Sequence, residues 1–142
     1  MLCPLEPVCQ AHKAGNPEDY PVRTRKLKRS AHSWWLLLER DASGRLWLER
    51  RPQTGIWAGL YCPPVFEDRS VLEGAAGTDA QLDDLPAVTH VLTHRDLYLH
   101  PVVMTDSQRL AVRQADGAGF FAPSEWSALG LPAPVRKLLA SI

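Results

Sequence analysis

The chain has 142 residues, of which 45% are hydrophobic and 23% charged, so its length and composition are those of one globular domain. Its 16 basic and 16 acidic residues give a formal net charge of zero, which argues against polyanion binding through bulk charge. Three cysteines are too few for a disulfide scaffold, and no stretch approaches the ~20 apolar residues of a membrane span. We therefore expect a cytoplasmic domain without a membrane partner.

The N-terminal part of the chain lacks hydrophobic periodicity. Residues 1–19 contain Cys3 and Cys9, and residues 20–31 are basic without an acidic residue. Two thiols cannot complete the four-ligand cage of a zinc or iron–sulfur site, so they are either free thiols in a tail or half of a four-cysteine site. The basic stretch is either a solvated linker or a phosphate-binding one, and its cations are Arg23, Arg25, Lys26, Lys28 and Arg29.

The next part of the chain reads as strands. Residues 34–39 and 46–49 are apolar, and the turn chemistry of residues 41–44 between them predicts a β-hairpin. Residues 60–66 predict a strand that two consecutive prolines interrupt, because proline cannot donate a ladder hydrogen bond.

A helix and a second hairpin are predicted next. Residues 67–76 carry apolar side chains at helical spacing, and Gly77 is a plausible stop. Residues 78–86 read as an acidic loop. Alternating apolar residues then predict strands over 88–92 and 97–104, joined by residues 93–96.

The C-terminal part of the chain completes the predicted fold. It reads as a strand at 110–113, a short apolar segment at 120–121, a short helix over 123–129 and a final helix over 134–142. Several strands with interspersed helices predict an α+β domain, in which helices pack on a mixed, curved β-sheet.

Residues 50–64 form an Arg-Pro…Gly-x-Trp…Pro segment with large apolar anchors at Trp57 and Tyr61. It contains neither a nucleophile nor an acid–base pair, so read from its residues alone it is structural, and Cys62 is expected to be a core residue. The segment resembles the stretch that leads into the catalytic helix of the Nudix hydrolases, which implies a Nudix-like fold.

The Nudix box itself is missing. The family's chemistry needs Gly-x5-Glu-x7-Arg-Glu-x-x-Glu-Glu-x-Gly, whose clustered carboxylates hold a divalent metal against a diphosphate. Residues 65–82 contain Glu67, Asp68, Glu73 and Asp79 but neither a Glu-Glu nor an Arg-Glu pair. A stand-alone Nudix-type nucleotide diphosphatase with a degenerate box is therefore the alternative function, and an interaction module without a ligand is a third.

The order of these features resembles the C-terminal part of the A/G-specific adenine DNA glycosylases of the MutY type. In that family the catalytic helical domain ends in a [4Fe–4S] cluster with cysteine spacing C-x6-C-x2-C-x5-C, and residues 2–9 match the final C-x5-C. A linker then leads to a Nudix-like domain that reads 8-oxoguanine opposite adenine. The segments 59–63 and 130–139 are also similar. The resemblance implies that Cys3 and Cys9 are half of a cluster set, with no cluster bound by this chain alone.

The resemblance also assigns the lesion-reading element. In the family it is a Phe-Ser-His triplet at a hairpin tip, and the matching positions here are Leu92, Thr93 and His94, followed by Arg95. Thr93 keeps the hydroxyl, while Leu92 replaces stacking by an apolar wedge. The other reading is that Leu92 is a core residue and Thr93 and His94 are turn residues.

The resemblance implies a division of labour. Residues 1–19 are expected to be a remnant of the cluster segment of a missing N-terminal catalytic domain, 20–31 a basic interdomain linker that contacts phosphate, and 32–142 the lesion-recognition domain. The parent enzyme hydrolyses the N-glycosidic bond of adenine mispaired with 8-oxoguanine in double-stranded DNA, for base excision repair. This chain alone is expected to cleave nothing.

Overall fold

The computed structural model describes residues 3–22, 28–105 and 117–142. Within these ranges a short helix α1 (Gln10–Lys13) lies between 3₁₀ turns at Glu6–Val8 and Pro17–Asp19. The strands that follow are β1 (Ser30–Glu39), β2 (Leu46–Arg50), β3 (Tyr61–Cys62), β4 (Val65–Phe66), β5 (Leu82–Asp84), β6 (Val88–Val91), β7 (Arg95–Met104) and β8 (Gly119–Phe121). The other helices are α2 (Arg69–Ala76) and α3 (Ala133–Ala140), with a 3₁₀ turn at Trp126–Ala128 before α3.

The larger sheet has the order β4-β1-β7-β5, and β6 also pairs with β7. Strands β1 and β7 run parallel along their whole length, with Ser30 opposite Arg95 at one end and Glu39 opposite Met104 at the other. Strands β4, β5 and β6 are antiparallel to their neighbours. The sheet is therefore mixed, and β5 and β6 occupy successive stretches of the same edge of β7.

A smaller antiparallel sheet, β3-β2-β8, begins where the chain reverses after β1. The carboxylate of Asp41 organises this turn, because Oδ1 accepts from the backbone N–H groups of Ser43 at 3.0 Å and Arg45 at 2.8 Å. The predicted reversal is confirmed, but the predicted hairpin is wrong in its pairing. Only the bridge between Arg40 and Leu46 joins the two strands, which then diverge into different sheets.

The central part of the larger sheet packs against apolar side chains on both faces. Along β1, Trp34, Leu36 and Leu38 pack into one apolar cluster with α3, while Leu37 packs into a second cluster with α2. This alternation follows from the two-residue period of a strand. Cys62 is buried in the first cluster, as predicted. The helices pack on a mixed sheet, which confirms the α+β class.

Helix α2 is confirmed, and its ends have the expected chemistry. The Asp68 side chain caps the first turn by accepting from the Ser70 N–H, and Gly77 ends the helix at a φ of +97°. The residues after it correct the prediction of a loop at 78–86. That stretch contains β5, because the edge of β7 offers its residues a ladder of backbone hydrogen bonds.

The C-terminal predictions differ in outcome. Helix α3 is confirmed, whereas the helix predicted over 123–129 is a turn followed by the 3₁₀ segment Trp126–Ala128. There the Glu125 carboxylate accepts from the Ala122 N–H at 2.6 Å, which favours a tight turn over a longer helix. The strand predicted at 110–113 lies outside the described residues. Among the helices that are described, none is long and apolar enough to cross a membrane.

Candidate nucleic-acid interface

The hairpin of β6 and β7 presents a short tip at one end of the larger sheet. Its last cross-strand pair is Val91 with Asp96. The backbone then closes tightly, because the Leu92 N–H donates to the Arg95 carbonyl at 2.7 Å. Thr93 and His94 form the turn between them, and the sequence prediction of a hairpin here is confirmed.

The side chains at this tip face two directions. Thr93, His94 and Arg95 are exposed, whereas Leu92 is half-buried and packs against the apolar cluster on the α3 side. The structure thus presents a hydroxyl, an imidazole and a guanidinium to solvent on adjacent residues. Leu92 lies with the core rather than beside them.

The start of β1 holds the tip from the side. The Ser30 N–H donates to the His94 carbonyl at 3.1 Å. The guanidinium of Arg29 donates to Asp96 through Nε at 2.9 Å and Nη2 at 2.6 Å, and Nη2 also lies 3.4 Å from the Leu92 carbonyl oxygen. This fork–fork pair is the geometry in which arginine binds a carboxylate most specifically.

The fork shifts the titration of both partners. The hydrogen bonds from Arg29 hold the pKa of the Asp96 carboxyl below its usual range. Reciprocally, the hydrogen bond to Asp96 raises the pKa of the Arg29 guanidinium. The pair is therefore fully charged at neutral pH.

The structure describes part of the predicted basic linker. Lys28 and Arg29 are exposed and lie directly before β1, so both are close in sequence to the hairpin contact. Arg23, Arg25 and Lys26 lie outside the described residues. The predicted site residues that the structure does bring together are Arg29 and the tip residues 92–95.

An aromatic cluster supports the base of the hairpin. The indole of Trp57 stands edge-on to that of Trp34, and it also faces His90 of β6 at a centroid separation of 6.1 Å. The Arg51 guanidinium lies 5.2 Å from the centre of the Trp34 ring, within cation–π range. The backbone of Trp57 has a φ of +58°, which residues other than glycine rarely adopt.

The two predicted cluster ligands, Cys3 and Cys9, both lie within the described residues. Cys3 is exposed and Cys9 half-buried, while burial raises the pKa of the Cys62 thiol to about 12. Within residues 3–22, 28–105 and 117–142, no three His, Cys, Asp or Glu side chains lie together as a metal site. Since a [4Fe–4S] cluster needs four thiolates, the residues present do not by themselves fit one.

The acidic residues around α2 have structural partners. Asp68 caps the helix, and Glu73 pairs with Arg69, which also pairs with Asp84. An open pocket of about 660 Å³ lies beside these pairs, between α2 and the residues that lead into β5. Its charged lining is thus already neutralised within the chain.

Sequence reasoning misses one member of this interface, Asp96, which it assigns only to a turn. It names Arg29 as a phosphate contact and does not predict its pair with Asp96. No local pattern links them, since 67 positions separate the two residues. The parallel register of β1 and β7 brings them together, and only the tertiary fold sets that register.

Comparison with known proteins identifies what the chain is similar to. The NUDIX domain family profile matches residues 34–141. An adenine DNA glycosylase of Buchnera aphidicola subsp. Baizongia pistaciae (strain Bp) is 23% identical over 149 aligned positions, covering 99% of this chain and 41% of the relative. The chain thus spans about two fifths of the length of that relative.

Solved structures share the fold. The C-terminal domain of mouse MUTYH, in a complex with human PCNA, superposes with a TM-score of 0.62 at 17% identity and covers 76% of this chain and 84% of that one. A MutT protein from Methanosarcina mazei Go1 gives a TM-score of 0.59 at 19% identity, covering 82% and 95%. These structures confirm the Nudix-like fold. Together with the family match, the adenine DNA glycosylase relative supports the resemblance that the sequence carries.

Proposed function

The chain belongs to the NUDIX domain family, and we propose that it serves within it as a reader of oxidised DNA. Its target is 8-oxoguanine opposite adenine in double-stranded DNA. The observation that carries this proposal is the exposed tip formed by Thr93 and His94, at the end of a hairpin that Arg29 and Ser30 hold in place. An alignment with an adenine DNA glycosylase supports the proposal, since it covers 99% of this chain at 23% identity.

The tip has the chemistry to read a base edge. A threonine hydroxyl both donates and accepts, and a neutral imidazole offers one donor and one acceptor. Oxidation of guanine turns the N7 acceptor into an N–H donor and adds a carbonyl oxygen at C8. Thr93 and His94 therefore have complementary groups for the two atoms that distinguish the lesion from guanine.

The reaction that this recognition serves is proposed for the whole protein. We assign hydrolysis of the N-glycosidic bond of a flipped-out adenine to a helical catalytic domain outside this chain. Cys3 and Cys9 would give that domain two thiolates of its cluster. Four cations of the linker would contact phosphates and make binding salt-dependent, namely Arg23, Arg25, Lys26 and Lys28.

The alternative, a nucleotide diphosphatase with a degenerate box, has weaker support. Such a reaction needs several carboxylates free to bind a divalent metal at one end of the helix. In α2 the Asp68 carboxylate is engaged by Ser70 and the Glu73 carboxylate by Arg69. Recognition without hydrolysis is therefore the better reading.

The proposal is tested by binding of the full chain to matched duplexes that carry 8-oxoguanine:adenine or guanine:adenine. We expect wild type to prefer the lesion duplex, and Thr93→Ala with His94→Ala to reduce that preference by about 5- to 150-fold, the equivalent of ~1–3 kcal/mol for one base contact. Ser43→Ala, on the exposed turn at the other end of β1, is the matched control. Equal binding of both duplexes by wild type would refute the proposal, as would diphosphate release from nucleoside triphosphates with Mg²⁺.

A further inference from the structure

Most of the hydrogen-bond donors of the Arg29 guanidinium are engaged by contacts within the chain. Its Nε–H and one Nη2 hydrogen reach the two oxygens of Asp96, and the second Nη2 hydrogen points to the Leu92 carbonyl. Three of the five N–H donors of the side chain are thus engaged on one hairpin. An arginine that served only to attract phosphate would have no need of this arrangement.

These contacts converge on the backbone of the tip. The Leu92 carbonyl accepts from Arg29, the Leu92 N–H donates to Arg95, and the His94 carbonyl accepts from Ser30. The groups fixed in this way flank Thr93 and His94 on both sides. The two side chains are therefore presented from a backbone that is held before any ligand arrives.

We propose that Arg29 is a positioning residue for lesion reading, and that it acts through Asp96 rather than through the DNA backbone. This inference rests on the proposed function, since it explains how the tip of that same site is kept in its reading conformation. An ordered recognition loop loses less conformational entropy on binding than a mobile one, so the fork increases discrimination without touching the base.

Charge and geometry can be separated by three substitutions. Arg29→Ala removes both the charge and the fork. Arg29→Lys keeps the charge but loses the two parallel hydrogen bonds. Asp96→Asn keeps Arg29 and frees its charge for phosphate. The matched control is Arg45→Ala, which breaks the arginine–aspartate pair with Asp41 on the other turn.

The first measurement needs no DNA. Amide hydrogen exchange of Leu92 and Ser30 in the full chain is expected to be about tenfold faster in Arg29→Ala and Asp96→Asn, and unchanged in Arg45→Ala. Exposed ion pairs contribute little to global stability, so the variants are expected to stay folded. If Leu92 and Ser30 exchanged at the wild-type rate in both Arg29→Ala and Asp96→Asn, the inference would be overturned.

The second measurement is the ratio of affinities for the lesion duplex and the guanine:adenine duplex as salt is varied. A positioning role predicts that all three substitutions lower this ratio about threefold or more, while the salt slope of Arg29→Ala stays at its wild-type value. A phosphate role predicts a uniform loss in Arg29→Ala, a salt slope smaller by about one, and near-normal behaviour of Arg29→Lys. That second result would overturn the inference. Absence of a preference in wild type would instead remove the proposed function, and Leu92 exchange would still decide the role of Arg29.

Discussion

The indole of Trp57 stands edge-on against that of Trp34, with ring centroids 5.4 Å apart and ring planes inclined by 77°. Trp34 is only 7% exposed and packs in the apolar cluster on the α3 side. We expect Trp34→Ala to lower the free energy of unfolding by about 3–5 kcal/mol, because it removes both the buried ring and the partner of Trp57. Urea unfolding gives the difference. A loss below 1 kcal/mol would mean that the pair does not anchor the core.

The backbone of Trp57 leads to a separate prediction. Its φ of +58° costs an L-residue ~1–2 kcal/mol, and alanine would bear the same cost at this position. Glycine does not bear it, so Trp57→Gly is expected to be at least as stable as Trp57→Ala, the reverse of the usual order within helices and strands. The two variants lose the same ring and serve as controls for each other. A stability for Trp57→Ala more than 1 kcal/mol above that of Trp57→Gly would contradict the assigned conformation.

The sequence predicts the features of this fold that depend on local chemistry. The turn at Asp41, the end of α2 at Gly77 and the hairpin at Thr93 were all predicted, because each uses residues whose own backbone preferences or short side chains favour a turn. The β5 strand was missed for the opposite reason. Its residues carry no strand pattern and become extended only because β7 presents an open edge.

The candidate site divides in the same way. Resemblance to a family located Thr93 and His94, but no pattern in the sequence predicts which way Leu92 points or what Arg29 contacts. Both depend on pairing between distant segments, since Ser30 lies opposite Arg95 in the parallel register. The sequence therefore predicts a candidate recognition tip, and the tertiary structure is needed to say what holds that tip in place.

Leu92 is predicted to act through the core rather than through the DNA. Because it is half-buried in the α3-side cluster, Leu92→Ala should lower the free energy of unfolding by about 1–2 kcal/mol. The preference for the lesion duplex should stay close to that of wild type. The exposed neighbour Val91, mutated to Ala, should change stability by less than ~0.5 kcal/mol. A stable Leu92→Ala variant that has lost the preference would show instead that Leu92 inserts into the duplex.

The three thiols should differ sharply in reactivity. Desolvation raises the pKa of Cys62 to about 12, so at pH 8 only about one molecule in ten thousand carries the reactive thiolate there. Cys3 is exposed and should react with a disulfide reagent at once, whereas Cys62 should react only at the rate of unfolding. Time courses with and without urea separate these phases, and Cys3→Ser should remove the fastest. Rapid labelling of Cys62 in the native chain would be inconsistent with its burial.

The capping carboxylate of Asp68 should make stability depend on pH at the acidic end. Hydrogen bonds from the Ser70 N–H and hydroxyl, both 2.8 Å, hold the pKa of this carboxyl below its ordinary value. A carboxyl whose pKa is lower in the folded state contributes its full stability above the unfolded-state pKa and loses it as the pH falls through the folded-state pKa.

Asp68→Asn separates the cap from its titration, because asparagine caps a helix about as well as aspartate but does not ionise over this range. The stability of wild type minus that of Asp68→Asn, from urea unfolding, should be constant near neutral pH and fall below about pH 4. Asp68→Ala should be less stable than both near neutral pH, since it has no cap. Subtracting the variant's stability from that of wild type is necessary because Asp41 and Asp96 also have lowered pKa values. Protonation of these two carboxylates in acid lowers the stability of every variant equally, so their effect cancels in the difference. A difference that does not change with pH would mean that Ser70 does not hold the ionised form of Asp68 in solution.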